Sequence, residues 1–353
     1  MTDAGPMRLS ARIGAWMLGG FAALALLAPV LAPNSPREQF ADRAYAPPNR
    51  IRIRDASGMR APFVYRQVLV DRVLRQYRED TSAAVPLRWF AGGRVLSTPP
   101  DGGPLLLFGA DALGRDIFAR LLHGARRSLG VVLLGVMGAL VLGALIGGAA
   151  GGLGGTIEAA LMLVADFVLV LPGAYLILVL RGVLPQVLSA TEIFALMSVL
   201  FAIAAWPHVA RGVRAIIAVE RTRDYAQAAR ASGAGPLRVI RHLLPAAWGF
   251  LTVEAVLLVP ALLGAEATVS YLGLGFPEPD ASWGTMLRDA ENVRVMVEAP
   301  WMLAPAAALF LVVLAVQLVG SARDSSTVLL EPFSRPPIAR RLEDIGRVPA
   351  RGA

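Results

Sequence analysis

Long runs of apolar residues dominate the hydrophobic pattern of the chain. A membrane-spanning helix needs about 20 mostly apolar residues, and six segments meet that requirement. They are residues 13–33, 129–150, 159–180, 193–210, 250–274 and 299–320. The pattern therefore predicts an all-α integral membrane protein with six transmembrane helices.

The first apolar segment, residues 13–33, follows Arg8 and Arg12 and resembles a signal peptide. Its apolar stretch is long for a signal peptide, and cleavage at the only suitable small residue, Ala32, would have to occur just before Pro33. We interpret the segment as an uncleaved anchor, with a cleaved signal as the alternative.

Arginine counts in the short loops predict the orientation of the spans. Residues 211–245 hold seven Arg and two acidic residues, so we expect them in the cytoplasm, whereas residues 275–298 hold two Arg and five acidic residues. With six spans, both termini are then cytoplasmic. Arg126 and Arg127, which flank the second span on its predicted outer side, conflict mildly with this orientation.

The stretch between the first two spans is the one predicted soluble module. Residues 51–54 alternate, residues 55–58 favour a turn, and residues 62–65 are typical of a returning strand. Residues 71–78 have helical spacing, and residues 88–97 predict a hairpin around Gly92 and Gly93. We therefore expect a small α+β insert, followed at residues 114–128 by an amphipathic helix at the outer interface.

These expectations divide the chain into four parts. Residues 1–33 form the cytoplasmic N-terminus and first span, and residues 34–107 form the extracytoplasmic insert. Residues 108–320 form a membrane core of five further spans, which contains the cytoplasmic loop 211–245. Residues 321–353 form a cytoplasmic tail.

Composition supports a membrane protein and excludes several chemistries. Hydrophobic residues make up 56% of the 353 residues, and charged residues make up 17%, against about 25% in typical soluble domains. The sequence has no Cys and no Lys, because all 34 cationic residues are Arg, which excludes disulfides, thiolate nucleophiles and a lysine-bearing phosphate loop. The three His are far apart, which argues against a zinc enzyme. If ATP is used, another chain must bind it.

The net charge of +8 raises the question of nucleic-acid binding. Sixteen Arg between residues 34 and 128 are interleaved with nine acidic residues, and seven more lie between residues 211 and 241. Neither block is an unbroken basic run, and both flank apolar spans. We therefore expect no nucleic-acid partner.

The cytoplasmic loop is the most informative segment. Its pattern predicts a short helix that is capped by Thr222 or Asp224 and ends at Gly233, where a left-handed residue is easiest. Pro236 suits the first turn of a second helix. Such a helix–glycine–helix element can seat in a groove on a partner; a plain amphipathic connector between two spans is the alternative.

This loop resembles the "EAA" loop of binding-protein-dependent ABC importer permeases. The family pattern is Glu-Ala-Ala, three residues, Gly, and then a distal Leu-Pro. The matching residues are Ala228, Ala229, Gly233, Leu244 and Pro245. Gln227 stands where the family usually has Glu, and the spacing from Gly to Pro is one residue short.

Two further segments resemble one branch of that family, the C-type permease subunits of dipeptide, oligopeptide and nickel importers. Residues 108–116 (FGADALGRD) are similar to the signature before the second span of that branch, with Ala110 in place of Thr. Residues 266–275 (EATVSYLGLG) and 282–287 (SWGTML) are similar to the end of its fifth span and the following outer loop. The resemblance covers residues 108–320 and the first span, and leaves residues 34–107 uncovered.

The resemblance implies a bacterial inner-membrane subunit with the type I ABC importer permease fold. It implies a second homologous permease subunit, two ATP-binding subunits that carry ATP and Mg, and an extracytoplasmic solute-binding protein. This chain would then be no enzyme, and peptides would be its expected substrate. The ATPase-coupling residues would be Asp224, Gln227, Ala228, Ala229, Gly233, Leu244 and Pro245. Arg230, Arg238 and Arg241 would pair with acidic groups on the ATPase, or serve only as orientation charges.

Three acidic residues fall inside the apolar spans: Asp166, Glu254 and Glu266. An acid at membrane depth is a functional candidate, so these residues could line the pathway; interhelical hydrogen bonding or pairing with the partner subunit is the alternative. Asp166 and Glu254 also permit a different function, that of an ion-coupled secondary transporter or channel. A third possibility is a membrane-anchored receptor or assembly factor whose working part is the insert.

Glycines and prolines add expectations about helix packing. Five glycines on the second span allow close helix approach: Gly135, Gly138, Gly143, Gly147 and Gly151. Four prolines are expected to kink their spans: Pro172, Pro207, Pro260 and Pro305.

Overall fold

The computed structural model describes residues 9–55, 58–72, 75–170 and 188–327, with side chains as far as residue 320. Long helices form the larger part of it, and a small β-rich insert follows the first of them. The helices are α1 (Leu9–Leu26), α2 (Ala28–Leu31), α3 (Ile117–Leu153), α4 (Gly155–Val170), α5 (Ala190–Glu220), α6 (Asp224–Ala231), α7 (Pro236–Leu243), α8 (Trp248–Tyr271), α9 (Trp283–Asp289), α10 (Val293–Glu298) and α11 (Ala304–Thr327).

Within the described residues, five helical segments are long and apolar enough to cross a membrane. They are Leu9–Leu26, Ile117–Leu153, Ala190–Glu220, Pro236–Tyr271 and Pro300–Gly320. Each corresponds to one of the six predicted spans. The remaining predicted span, 159–180, is described only as far as the end of α4 at Val170, so six spans stay a prediction.

Close packing of α3 against α5 forms the centre of the helical core. A Cβ at Gly138 would lie 2.6 Å from Ala202 Cβ, and one at Gly135 would lie 2.8 Å from Phe201 Cβ. A Cβ at Gly151 would lie 2.6 Å from Arg214 O. These distances are too short for a side chain, so the glycines allow the two helices to touch. Close helix packing, predicted for these glycines, is confirmed.

The prolines lie at different places in their helices. Pro207 and Pro260 are inside α5 and α8, as expected. Pro305 lies in the first turn of α11, where the helix has no hydrogen bond for it to break, so the expectation of a kink there is wrong. Pro172 lies outside the described residues.

Five strands form the insert between α2 and α3. Strands β1 (Arg52–Asp55), β2 (Gly58–Asp71) and β3 (Gln76–Pro86) make an antiparallel sheet in the order β1-β2-β3. Strands β4 (Arg88–Ala91) and β5 (Arg94–Ser97) make a separate hairpin. The predicted strands at 51–54 and 62–65 and the hairpin around Gly92 and Gly93 are confirmed.

The predicted helix at residues 71–78 is wrong. Asp71 ends β2 and Gln76 begins β3, and these two residues face each other in the ladder. Leu69 pairs with Tyr77 in the same ladder. Pairing between the two strands therefore overrides the helical spacing of the local sequence.

The predicted interfacial helix at residues 114–128 is also wrong as a separate element. The helix begins at Ile117 and continues without interruption to Leu153. Asp116 caps it, since its Oδ1 accepts a hydrogen bond of 2.9 Å from the Phe118 N–H. Arg120, in the first turn of this helix, is only 1% exposed.

Candidate functional site

The helix–glycine–helix element predicted in the cytoplasmic loop is formed by α6 and α7. Gly233 has φ +80°, a left-handed conformation that ends α6. The Gly233 N–H donates to Arg230 O at 2.9 Å, and the Ala234 N–H donates to Ala229 O at 3.0 Å. Pro236 opens α7, as predicted. The turn is therefore closed by two backbone bonds that depend on the conformation of Gly233.

Capping of α6 differs from the prediction. Arg223 is the residue before the helix, and Asp224 is its first residue. Within the described part of the chain, Arg223 makes no side-chain capping hydrogen bond. Thr222 Oγ1 donates instead to Val219 O at 2.8 Å. Asp224 stabilises α6 as a negative charge in its first turn rather than as a cap.

The buried side of the element rests on α3. Val239, Ile240 and Leu243 of α7 are buried. A Cβ at Gly148 would lie 3.0 Å from Leu244 Cδ2, and a Cβ at Gly152 would overlap the side chain of Ile240. Because these two positions carry no side chain, α7 and the following 3-10 turn can pack directly against α3.

The opposite side of the element is exposed. Gln227, Ala228 and Gly233 are exposed, and Ala229 is half-buried. Gln227 Nε2 donates to Thr222 O at 2.9 Å, so this side chain braces the start of α6. Pro245 is exposed in the turn Leu244–Ala247. The predicted coupling residues thus lie along one short element, and their coupling role stays a prediction.

Sequence reasoning missed a cavity of about 220 Å³ beside this element. Its lining residues come from the end of α3 and from both short helices: Gly152, Leu153, Arg221, Arg230, Ala234, Pro236 and Val239. Arg230, Arg238 and Arg241 are all exposed. The seven Arg of residues 211–245 were the signal of a basic surface here, but the cavity depends on the packing of α7 against α3.

Two of the three acids in the spans are paired or buried within the chain. Asp166 forms an ion pair with Arg211, with both side chains about half exposed, and Glu158 pairs with Arg214. These two pairs join α4 to α5. Glu254 is half-buried on α8. A pathway-lining role for any of them stays a prediction.

Glu266 lies in a polar cluster between helices. It is fully buried, and its Oε1 accepts a hydrogen bond of 2.8 Å from Ser270 Oγ. The hydroxyl groups of Ser128 and Ser282 also interact with this carboxyl group. The cluster joins α8 to α3 and to the start of α9, which favours the interhelical alternative for this residue.

A buried charge network joins the start of α3 to the loop that contains α9. Arg115 Nε contacts Asp111 Oδ2 at 2.7 Å, and Arg120 contacts Asp289 Oδ2 at 3.0 Å and Asp111 Oδ2 at 3.2 Å. Arg115 also pairs with Glu278. Buried charges are costly unless paired, so the network fixes this loop against α3. The segment resembling a family signature contained Asp111 and Arg115, but nothing in the sequence identified Glu278 and Asp289 as their partners.

The same loop has a second attachment point at Asp280. Its carboxylate accepts from Arg37 at 2.8 Å and also pairs with Arg127. Arg127 in turn donates to Ala281 O at 3.0 Å. In the predicted orientation Arg127 conflicts with the loop-charge rule, and its pairing with Asp280 would offset that charge.

Asp116 gives a testable dependence of stability on pH. Burial raises the pKa of Asp116 to about 7, although hydrogen bonds from Asn34 and from the Ala119 and Phe118 N–H groups oppose that rise. Because its pKa is higher in the folded than in the unfolded protein, the folded state binds the proton more tightly. The contribution to stability is therefore present at low pH and is lost as the pH rises through about 7.

We expect the free energy of unfolding to be larger at pH 5.5 than at pH 8, with about 2 kcal/mol of the difference coming from Asp116. Thermal unfolding of the purified chain at pH 5.5 and at pH 8 measures this difference in stability. Asp116→Asn should remove the contribution of Asp116 to it. Asp101→Asn changes an exposed carboxyl group and serves as the control. An unaltered pH dependence in Asp116→Asn would contradict the assignment.

The apolar helices are typical of a multi-pass membrane protein, and the helix–glycine–helix element presents an exposed surface between two of them. Comparison with known proteins identifies the class as transporter permeases. A sequence profile for the N-terminal TM domain of oligopeptide transport permease C matches residues 10–48. A second profile, the binding-protein-dependent transport system inner membrane component, matches residues 131–333. The chain belongs to this second family.

Named relatives agree with that family. A putative peptide permease protein of Brucella ovis is 39% identical over 217 residues, which cover 60% of this chain and 69% of the relative. The nickel transport system permease protein NikC of Escherichia coli is 40% identical over 217 residues, which cover 61% and 75%. A solved inward-facing structure of the MetNI methionine ABC transporter matches 57% of this chain and 93% of its own chain, at 21% identity and a TM-score of 0.45.

The comparisons establish a membrane-spanning permease component of a bacterial inner-membrane, binding-protein-dependent ABC importer. Permease subunits of this kind are not themselves enzymes.

Proposed function

We propose that this chain forms half of the translocation pathway of an importer for di- and oligopeptides, together with a second homologous permease subunit. The observation that carries the proposal is the α6–Gly233–α7 element, which presents an exposed surface on one side and is seated on α3 by the other. Tyr225 and Leu237 on this surface are 49% and 79% exposed. Exposed apolar groups beside exposed Arg suit the docking of another protein.

In this proposal the docked protein is one of two ATP-binding subunits, which carry ATP and Mg. Closure of the two ATPases moves the docking elements, and the helix bundles alternate between outward and inward access. ATP hydrolysis then belongs to the partners, and this chain supplies the coupling surface and part of the pathway. Glu254, half-buried on α8, is the acid that we retain as a pathway candidate.

The proposed orientation places both termini and the α6–α7 element in the cytoplasm. The insert and the loop that contains α9 then face outwards, toward the solute-binding protein. The excess of Arg in residues 211–245 and of acids in residues 275–298 supports this assignment.

Peptide is the proposed substrate because several relatives, among them those of Brucella ovis and Brucella suis, are named as peptide permeases. The relative NikC is named as a nickel permease. The test of the substrate must therefore distinguish peptide from nickel.

Purification of the chain from its native membrane in mild detergent, followed by mass spectrometry, tests the assembly. We expect a second permease subunit and ATP-binding subunits to co-purify, and the binding protein to be captured when added. In the reconstituted assembly, a mixture of di- and oligopeptides with the binding protein should stimulate ATPase activity, and Ni²⁺ should not. Stimulation by Ni²⁺ alone would overturn the assignment of peptides as the substrate. Purification of a homo-oligomer without an ATPase subunit would overturn the proposed assembly.

A further inference from the structure

The β4–β5 hairpin lies outside both matched segments, which cover residues 10–48 and 131–333. Two contacts fix its position. The Arg94 guanidinium donates to Pro33 O at 2.6 Å, and β5 packs against α2, the short helix that follows the first membrane span. On its other side, Leu96 packs against the core of the insert, beside Leu87 and Leu105. The hairpin is therefore held rigidly at the point where the first span ends.

Two adjacent aromatic side chains on this hairpin are exposed. Trp89 is 56% exposed and Phe90 is 78% exposed. Phe90 also has φ +53°, a left-handed conformation that is an outlier for a bulky residue. Strained residues of this kind persist where the surrounding structure enforces them and are found often at functional sites.

The pairing register places these aromatics close to the end of the span. Ala91 pairs with Arg94, and Trp89 pairs with Leu96. Paired strands lie about 4.8 Å apart, and successive residues rise about 3.4 Å, so the backbones of residues 89 and 90 lie within about 12 Å of Arg94. Because the Arg94 side chain reaches Pro33 and β5 contacts α2, the hairpin that carries both aromatics lies beside the end of the first predicted span.

We propose that the β4–β5 hairpin is a lipid anchor, in which Trp89 and Phe90 enter the interfacial region of the bilayer beside the first span. Trp is enriched at this depth because its ring is apolar and its N–H is polar. Arg88 is exposed on the same strand and is placed to meet lipid phosphates. Residues 50–97 carry ten Arg and four acidic residues, a charge balance that favours an anionic lipid surface.

The anchor accounts for the exposure of two aromatics on a hairpin that is otherwise well held. If α1 spans the bilayer, the bilayer surface lies at the end of α1, beside the hairpin. Lipid is therefore present at this position without any further partner. A docking protein would have to approach the same aromatics at the edge of the membrane. The anchor requires only that α1 spans the membrane, and it holds for either orientation of the chain.

Site-directed spin labelling tests the anchor, and because this sequence has no Cys, each variant has one labelling site when the purified chain is labelled before assembly with its partners. Trp89→Cys and Phe90→Cys are each labelled with a nitroxide in the full chain and measured within the assembled transporter, in vesicles of phosphatidylethanolamine and phosphatidylglycerol. Met59→Cys, at a position 83% exposed in the insert, is the aqueous control. Trp16→Cys, at a position 80% exposed on α1, is the lipid control.

We expect labels at 89 and 90 to collide severalfold more often with oxygen than with a water-soluble nickel chelate, relative to the label at 59. Accessibility at 89 and 90 equal to that at 59 would overturn the anchor. Protection from both reagents only when the binding protein is added would assign the hairpin to a protein interface and would also overturn it. Each variant is scored only if it elutes as the intact assembly, and either label alone decides the question.

Discussion

Gly233→Val is expected to abolish the stimulation of ATPase activity by substrate in the assembled transporter, while membrane insertion and the amount of the chain remain normal. A β-branched residue at φ +80° is strained by roughly 1–2 kcal/mol or more, so the two backbone bonds that close the turn should be lost. Within the described part of the chain, a Cβ at this position would meet no heavy atom within 4 Å. The change therefore acts on the angle between α6 and α7 and leaves the core untouched.

Gly235→Val is the matched control for this experiment. Gly235 lies two residues further on with φ −64° and ψ 158°, values that valine adopts readily. A Cβ there would also meet no heavy atom of the described residues within 4 Å. ATPase activity with and without the loaded binding protein is the measurement. Normal stimulation in Gly233→Val would remove the coupling role from this element. Equal loss in both variants would assign the effect to added bulk on the docking surface instead of to the turn.

Gly147→Ala is expected to destabilise the chain, although it adds a single methyl group. A Cβ at Gly147 would lie 2.9 Å from Ala210 Cα and closer still to its carbonyl oxygen. The obstacle is backbone, which cannot rotate away, so α3 and α5 must separate. Overpacking of this kind costs about 1–3 kcal/mol and occasionally more, and the melting temperature of the purified chain should fall.

Gly264→Ala makes the same chemical change in another membrane helix, but it should not lower the melting temperature. Gly264 lies inside α8, and among the residues that the structure describes, a Cβ there would meet no heavy atom within 4 Å. Alanine is more favourable than glycine inside a helix by up to about 1 kcal/mol, so this variant should unfold at the same or a higher temperature. If Gly147→Ala and Gly264→Ala had the same melting temperature, the close approach of α3 to α5 would be wrong.

Local patterns in the sequence were sufficient for the main elements of the fold. Apolar runs of about 20 residues predicted the helices that the structure describes as candidate spans, because hydropathy and length are properties of one segment alone. Gly92 and Gly93 marked the turn of a hairpin for the same reason, as did Gly233 for the break between α6 and α7. Each of these signals is contained within a few neighbouring residues.

Features that depend on distant partners could not be predicted in this way. The helical spacing at 71–78 was overridden by a partner strand, and the interfacial helix predicted at 114–128 is the start of the longer α3. Arg120 is buried because Asp289, 169 residues further along the chain, lies 3.0 Å away. Asp166 pairs with Arg211, 45 residues away in the sequence. No periodicity in one segment reports such pairs.

The glycine contacts between α3 and α5 also limit where the transporter can bend. Two helices whose backbones touch along several turns cannot slide past each other without opening gaps on one side and collisions on the other. The two helices therefore form one rigid unit, and α7 packs against that unit at Gly148 and Gly152. In the proposed coupling, a push on the α6–α7 element would move this pair as a single body, and the bending of the transport cycle would fall at its borders with the remaining helices.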